Sequence, residues 1–253
     1  MSDGSRRVAR LPSACLSALP ALLAPCAVLL ARLGRGPYLL PLLATAAVYP
    51  VMAALLLRGR RPAAAAATLL WAASLSASII TVTRRDPASM APFVFNGPAY
   101  RDEMFEFIRS GAGRESDPSR FLPQHLLHFA AFVLLAASSG GLAGIGLGAV
   151  LIGYMSYYVG ALASAGGAPG TAILLGWSPW AILRVAGFVI VGLGLSEPVL
   201  FALRRRFGDG AGVARASFRP WYITAGVLLA GDVLLKFLLA SSWAGILRPC
   251  LSP

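Results

Sequence analysis

Charged side chains are scarce through the long central part of this chain. Between residues 121 and 203 the formally charged residues are Arg184 and Glu197, whereas about a quarter of the residues in an ordinary soluble domain are charged. This scarcity excludes a water-exposed surface for that stretch. Over all 253 residues, 57% are hydrophobic and 13% are charged. We therefore expect residues 1–253 to form a single integral-membrane helical domain.

Cysteine pairs and catalytic motifs are also missing. The three cysteines, Cys15, Cys26 and Cys250, are scattered and form no Cys-x-x-Cys pair, which excludes the usual cysteine-based metal and redox motifs. The sequence contains no His-Glu-x-x-His, no Gly-x-Ser-x-Gly, no P-loop and no glycine-rich dinucleotide turn. The sequence therefore favours a protein that is not an enzyme and specifies no cofactor.

Long apolar runs take the place of these motifs. A bilayer core about 30 Å thick requires about 20 apolar residues per helix, and seven stretches approach that length. They predict an all-α polytopic membrane protein with about seven transmembrane helices, or six if the first stretch is a cleaved signal peptide. The predicted spans are Ser13–Ala31, Pro37–Leu57, Ala63–Thr83, Leu122–Ser139, Leu142–Ala163, Ala172–Leu195 and Trp221–Ile246.

Arginine-rich loops predict the orientation. With seven spans, three groups of arginines fall on one side of the membrane, and such loops tend to stay in the cytoplasm. We therefore expect a multi-pass protein of the cell (inner) membrane with a cytoplasmic N-terminus. The net charge of +12 is spread over short loops, which favours contact with anionic lipid headgroups over nucleic acid. The arginines are Arg6, Arg7 and Arg10, then Arg58, Arg60 and Arg61, then Arg204, Arg205, Arg206, Arg215 and Arg219.

The extramembrane loop over residues 84–120 differs from the other loops in its length and its balanced charge. Its residues 100–109 place Met104, Phe105 and Ile108 on one side and charges on the other, which predicts a short amphipathic helix lying on the membrane. Such a surface suits a protein partner. The alternative functional hypothesis is therefore a non-catalytic membrane subunit or scaffold that docks a partner through this loop.

Three ionisable residues lie deep within predicted spans. Arg184, Asp232 and Lys236 would each cost about 2.5–3.5 kcal/mol unpaired at mid-bilayer, so we expect them to form one buried cluster. With one positive charge in excess, the cluster would bind an anionic group. This predicts a module that binds or translocates a small molecule or an ion, and the alternative is a permanent ion-pair lock between helices. Tyr154, Tyr157 and Tyr158 share one helix face that would line an outward-facing pocket, and the alternative is an aromatic belt at the membrane interface.

A candidate metal site lies at the outer surface of the membrane. His125 and His128 begin the fourth span at a spacing of three, and Glu103 and Glu106 repeat that spacing upstream. Four nitrogen and oxygen donors of this kind could bind a transition metal. The corresponding functional alternative is a metal-binding intramembrane enzyme. The alternative without a metal is a pair of histidines that lie at the membrane interface.

Glycines at positions 140, 144 and 148 repeat every four residues. In a membrane this pattern indicates close packing of two helix backbones.

Two parts of the chain resemble known families. Residues Phe129–Pro198, with the run Pro179–Leu183, resemble the membrane core of stage II sporulation protein M relatives, but the His-Gly-x-x-Glu signature of that family is missing. Asp232 and Lys236 resemble the retinal-binding helix of microbial rhodopsins, in which the lysine forms a Schiff base. The third span, Ala63–Thr83, lacks the arginine and carboxylate of a counter-ion helix. Neither resemblance implies a function for this chain.

Overall fold

A computed structural model describes residues 13–34, 36–207 and 217–252 of the chain, and these ranges contain helices and no strands. The predicted topology signals Arg6, Arg7, Arg10 and Arg215 lie outside the described residues. Two short 3-10 helices, Ala91–Phe93 and Arg248–Leu251, accompany the α-helices. The α-helices are α1 (Ser13–Ala31), α2 (Leu39–Leu57), α3 (Arg61–Arg85), α4 (Pro87–Met90), α5 (Gly97–Ser110), α6 (Pro118–Ser139), α7 (Leu142–Ser164), α8 (Pro169–Leu175), α9 (Pro179–Phe207) and α10 (Arg219–Leu247).

The long helices confirm the all-α polytopic membrane fold. Within the described ranges, six segments are long and apolar enough to cross a membrane: α2, α3, α6, α7, α8 with α9, and α10 with the turn after it. The shorter apolar helix α1 packs against α3, where the Ser74 hydroxyl donates to the carbonyl oxygen of Ala21 at 2.6 Å. The chain is therefore a multi-pass membrane protein.

The sixth predicted span differs from the observed helices. Its predicted range, Ala172–Leu195, crosses a break at residues 176–178, and α9 starts only at Pro179. Proline suits the first helical turn because its missing N–H needs no partner there. The 29 residues of α9 give a length of about 43 Å, longer than the apolar core of a bilayer. Its last turn therefore extends beyond the membrane and carries Arg204, Arg205 and Arg206.

The two ends of the bundle are distinct. At the end that we call the arginine end, Arg204 donates to the carbonyl oxygen of Leu57 at 3.2 Å, which brings the end of α9 beside the end of α2. At the opposite end, the indole nitrogen of Trp243 donates to Leu175 at 3.0 Å. That second end also contains residues 86–117, which we call the cap, and is therefore named the cap end.

The cap is folded against the bundle. The buried residues of α5 include Met104, Phe107 and Ile108, and the Tyr100 ring lies 4.6 Å from the Tyr154 ring of α7. The predicted amphipathic helix is therefore present. Its apolar side contacts α7 and α10, so the prediction that this side lies on the membrane is wrong. Because the bundle end offers an apolar surface, α5 buries its own apolar side there.

The outer faces of α6 and α10 are strongly apolar. Leu127 and Leu134 of α6 are exposed on the bundle surface, as are Leu234 and Phe237 of α10. Exposed apolar side chains of this size at the middle of a span contact lipid tails.

The repeated glycines serve different purposes. Gly140 and Gly141 separate α6 from α7 with φ angles of 61° and 94°, which side chains with a Cβ rarely adopt. A Cβ on Gly144 would lie 2.9 Å from the Cβ of Ala136, whereas a Cβ on Gly148 would meet no atom within 4 Å. Gly144 therefore allows α6 and α7 to approach closely, and Gly148 lies beside open space.

Candidate functional site

Arg184 and Asp232 form a bidentate ion pair between α9 and α10. The guanidinium Nε donates to Oδ2 of Asp232 at 2.8 Å, and Nη2 donates to Oδ1 at 2.8 Å. The Asp232 side chain is 3% exposed and that of Arg184 is 21% exposed. The structure thus brings together two of the three residues of the predicted cluster. The short connection between α9 and α10 makes these helices antiparallel neighbours, which places residue 184 opposite residue 232.

Lys236, the third predicted member, has a partner that the sequence did not reveal. Its Nζ lies 2.8 Å from Oε2 of Glu115 in the cap and 4.7 Å from the centre of the Phe121 ring. Its side chain is 1% exposed. Lys236 is also the single lysine of the chain, which otherwise carries only arginines as permanent cations.

Glu115 changes the charge of the predicted cluster. Arg184 and Lys236 contribute two positive charges, and Asp232 and Glu115 contribute two negative charges, so the four side chains are electrically balanced. The predicted cluster of Arg184, Asp232 and Lys236 would carry one excess positive charge, and the carboxylate of Glu115 cancels it. Sequence spacing could not reveal Glu115, because its position depends on how the cap folds over the bundle.

An apolar cavity of about 90 Å³ lies beside this network, between α2, α3, α6, α7 and α9. Trp71, Phe132 and Phe188 line its apolar walls. Gly148 widens it because it carries no side chain, whereas Gly192 allows the Phe132 ring to approach α9 closely. Polar groups line the cavity toward the cap end, namely those of Arg184, His125, His128 and Tyr154. Ser196 of α9 lines it nearer the arginine end.

A smaller pocket of about 40 Å³ lies between this cavity and the cap. His125, His128, Tyr154 and Arg184 line both spaces, so they form the boundary between them. Glu115, Tyr100 and Tyr158 line the smaller pocket on the cap side. Burial raises the pKa of the Tyr100 hydroxyl well above its ordinary value, and the nearby Glu115 carboxylate acts in the same direction. Tyr100 is therefore a neutral hydroxyl at ordinary pH.

Polar atoms without partners accompany the cavity. His125 Nδ1 lies 2.7 Å from the carbonyl oxygen of Phe121. Since a carbonyl oxygen only accepts, Nδ1 carries the hydrogen and Nε2 of the neutral ring is an acceptor. Among the described residues, His125 Nε2 and the indole nitrogen of Trp71 are buried without a hydrogen-bond partner. Each such atom costs about 1–3 kcal/mol, so an occupant with a polar group would be stabilised here.

The two predicted tyrosines have different positions. Tyr154 lines both spaces, as the prediction requires. Tyr157 is fully buried, its hydroxyl donates to the carbonyl oxygen of Pro87 at 3.1 Å, and it lines neither of the two spaces. Its ring also lies against Gly97. Tyr157 therefore holds the start of the cap, and its predicted ligand-binding role has no support in this geometry.

The predicted metal donors do not come together. Glu103 forms an ion pair with Arg114 at 3.3 Å, and Glu106 is exposed on the outer side of α5. Throughout the described ranges no group of three or more His, Cys, Asp or Glu side chains could hold a metal ion. The four-donor site formed by Glu103, Glu106, His125 and His128 is therefore not present in this structure. The histidines instead line the cavity.

A second buried ion pair, absent from the predicted site, joins α3 to α9 at the arginine end. Nε and Nη2 of Arg61 donate to Oε2 and Oε1 of Glu197, each at 2.7 Å. The guanidinium carbon also lies 3.9 Å from the centre of the Phe218 ring. Glu197 is a carboxylate in an otherwise apolar span, and such a residue requires a partner. The sequence therefore signals that Glu197 has a basic partner, but Arg61 is interpreted there only as part of an arginine-rich loop that sets the orientation.

Comparison with known proteins identifies no relative. No protein-family model matches the chain, and neither a curated protein nor a solved structure matches it. The resemblances to stage II sporulation protein M relatives and to microbial rhodopsins thus gain no support.

Proposed function

We propose that this protein binds an uncharged small amphiphile with a hydroxyl group in the cavity beside Arg184. The observation that carries this proposal is the apolar cavity bounded by His125, His128, Tyr154 and Arg184. Ligand sites of this kind combine apolar walls with a few polar groups that orient the bound molecule. The volume of about 90 Å³ suits a short alkyl segment, since it is smaller than a cavity of about 150 Å³ that binds benzene.

Charge balance supports a neutral ligand over an anionic one. Arg184 is already bound by both oxygens of Asp232, and Lys236 is bound by Glu115. An anion entering the cavity would lose its hydration without meeting an unpaired cation, and such desolvation is costly. A hydroxyl, by contrast, can donate to His125 Nε2 without introducing any charge.

Photolabelling of the purified full-length protein tests this proposal. The probes are a butanol and a butanoic acid that carry the same diazirine group, used in detergent at pH 7.5. We expect the butanol to label cavity residues of α6, α7 and α9, with competition by plain butanol and weaker labelling by the acid. Labelling confined to lipid-facing residues, or equal labelling by both probes, would overturn the proposal of a neutral ligand site.

A matched pair of glycine variants separates the cavity from general effects on the helices. In Gly148→Leu the new side chain starts in open space beside the cavity, and in Gly226→Leu it starts in open space on the exposed surface of α10. We expect Gly148→Leu to remain folded and to lose labelling of the cavity, while Gly226→Leu retains it. Equal labelling of both variants would contradict the proposed site.

We further propose that the arginine end faces the cytoplasm and that the protein resides in the cell (inner) membrane. The support is the arginines in the short turn after α2 and in the last turn of α9, since short cytoplasmic loops carry an excess of Lys and Arg. A single cysteine introduced in the cap of a variant without Cys15, Cys26 and Cys250 should react with an impermeant maleimide added to intact cells. Reaction only after lysis would reverse the orientation.

A further inference from the structure

A second, larger space lies on the outside of the bundle. This groove, between α3 on one side and α8 and α9 on the other, has a volume of about 940 Å³. It shares Ala72, Ile152 and Val185 with the cavity described above, so these residues form a wall with one space on each side. The groove is therefore a separate site, and an inference about it does not depend on the ligand of the cavity.

The groove is apolar along most of its length and ends in two arginines. Leu69, Ala73 and Ile80 line it on α3, and Arg84 and Arg85 line it at the cap end. From Leu69 to Arg84 the helix rises about 22 Å, which exceeds the roughly 15 Å thickness of one leaflet of apolar tails. A single acyl chain therefore fits along the groove with its headgroup beside the arginines.

Both arginines are available to an anion. Arg84 and Arg85 are exposed, and neither forms an ion pair within the described part of the chain. The neighbouring carboxylate of Asp86 forms no ion pair with either arginine, and its Oδ1 accepts from the backbone N–H of Ser89 at 3.0 Å. That hydrogen bond lowers the pKa of Asp86, and the positive charge of Arg32 adds to the effect.

Trp177 contributes a further polar group. This residue belongs to the connection between α8 and α9 and lines the groove. Its indole nitrogen is buried with no acceptor among the residues described. Tryptophan commonly lies at the membrane interface, where its N–H bonds to headgroup or ester oxygens. An ester or phosphate oxygen in the groove would supply the acceptor that the protein does not.

We propose that this groove binds one anionic phospholipid, with an acyl chain along α3 and the phosphate group at Arg84 and Arg85. The apolar groove faces the lipid of the membrane, and its charged end lies where α3 leaves the apolar core. Guanidinium groups match the geometry of a phosphate diester. Phosphatidylcholine also carries this group, but its quaternary ammonium offsets the negative charge and repels the arginines, so a headgroup with net negative charge binds the two arginines more tightly. The lipid thereby covers the gap between α3 and α9.

Native mass spectrometry of the purified full-length protein tests the headgroup. The protein is titrated with phosphatidylglycerol and with phosphatidylcholine of identical acyl chains. From two arginine contacts we expect about 30-fold tighter binding of one phosphatidylglycerol. Replacing both residues, as Arg84→Gln with Arg85→Gln, should remove that preference. The matched control, Arg58→Gln with Arg60→Gln, alters two exposed arginines at the other end and should retain it.

A groove-filling variant tests the acyl-chain site independently of charge. Ala73→Phe should weaken the binding of both lipids at this site, whereas Ala230→Phe, at an exposed position of α10, should not. Equal affinity for the two lipids, or a preference that survives the Arg84 and Arg85 changes, would overturn the proposal. Binding that is indifferent to Ala73→Phe would place the lipid elsewhere and also overturn it. These outcomes leave the butanol labelling of the inner cavity unaffected.

Discussion

Arg184 and Asp232 face each other across the interface of α9 and α10, and both carboxylate oxygens accept N–H bonds at 2.8 Å. This fork geometry is among the strongest arrangements of a charged pair. It compensates two charges that would otherwise be expensive within a membrane span.

Asp232→Asn should destabilise the protein strongly. The change leaves the Arg184 guanidinium without its counter-charge, and breaking a buried pair in this way typically costs about 3–5 kcal/mol. We expect less folded protein in membranes and a lower thermal midpoint in detergent. Asp102→Asn, which alters an exposed carboxylate of the cap, should have little effect.

Replacing both partners should restore folding. In the double variant Arg184→Met with Asp232→Leu no unpaired charge is left, so we expect wild-type accumulation, because apolar substitution of a whole buried pair is often neutral. If Asp232→Asn alone unfolds at the wild-type temperature, the pair does not stabilise the helix interface.

Arg61→Lys should behave as a disruptive change despite its conserved charge. Lysine cannot donate in parallel to both oxygens of Glu197, and it loses the flat stacking on Phe218. We expect a loss of about 1–3 kcal/mol in unfolding free energy, the range for a hydrogen bond to a charged group. Denaturant unfolding in detergent measures it. Arg60→Lys, one residue earlier and exposed, should be silent, and equal effects of the two changes would contradict the role of the pair.

Gly144→Ala and Gly148→Ala should differ although they belong to the same pattern. The first places a methyl group 2.9 Å from the Cβ of Ala136, and overpacking of this kind costs about 1–3 kcal/mol. The second meets no atom within 4 Å and should stabilise α7 slightly, because alanine is the better helix former by about 1 kcal/mol. Thermal unfolding of both variants in one detergent compares them. Equal midpoints would show that α6 and α7 are not closely packed at Gly144.

The start of α6 should loosen in acid. Asp117 accepts from the backbone N–H of Ser119 at 2.9 Å and from its hydroxyl at 2.7 Å, and these bonds lower the pKa of its carboxyl group. A carboxylate with a lowered folded-state pKa stabilises the fold above its unfolded pKa and loses that contribution as the pH falls through the folded value.

Hydrogen exchange at the amides of Ser119, Arg120 and Phe121 measures this loosening. We expect protection relative to intrinsic exchange to decrease below about pH 4, the ordinary pKa of aspartate. Asp117→Asn keeps an uncharged cap and should show no such step. A wild-type protein with constant protection down to pH 2 would contradict the prediction.

Hydropathy predicted the spans well because a bilayer imposes one length on every crossing helix. It also predicted that Arg184 and Asp232 would meet, since both residues lie at a similar depth on consecutive helices. The role of that pair in ligand binding stays a prediction. The sequence did not predict the ion pairs of Glu115 and Arg61. Both residues belong to loops in the sequence, and the position of a loop residue depends on tertiary packing. Tyr157 shares a helix face with Tyr154, but the start of the cap occupies its side of α7.

The amine reactivity of Lys236 tests most directly whether the cap closes over a charge-balanced site. Lys236 is the single lysine, so in the variant Arg60→Lys peptide mapping after treatment with an acetylating ester compares the buried amine of Lys236 with one amine introduced at an exposed position. We expect Lys236 to react at least about tenfold more slowly than the introduced lysine, because its exposure requires local opening.

Glu115→Gln should accelerate the acetylation of Lys236, since it removes the carboxylate that ties Lys236 to the cap. Glu106→Gln, which alters an exposed carboxylate of α5, should leave the rate unchanged. The closed, balanced site predicts a slow wild-type reaction that depends on Glu115. A Lys236 that reacts as fast as the lysine introduced by Arg60→Lys, or a rate indifferent to Glu115→Gln, would contradict it.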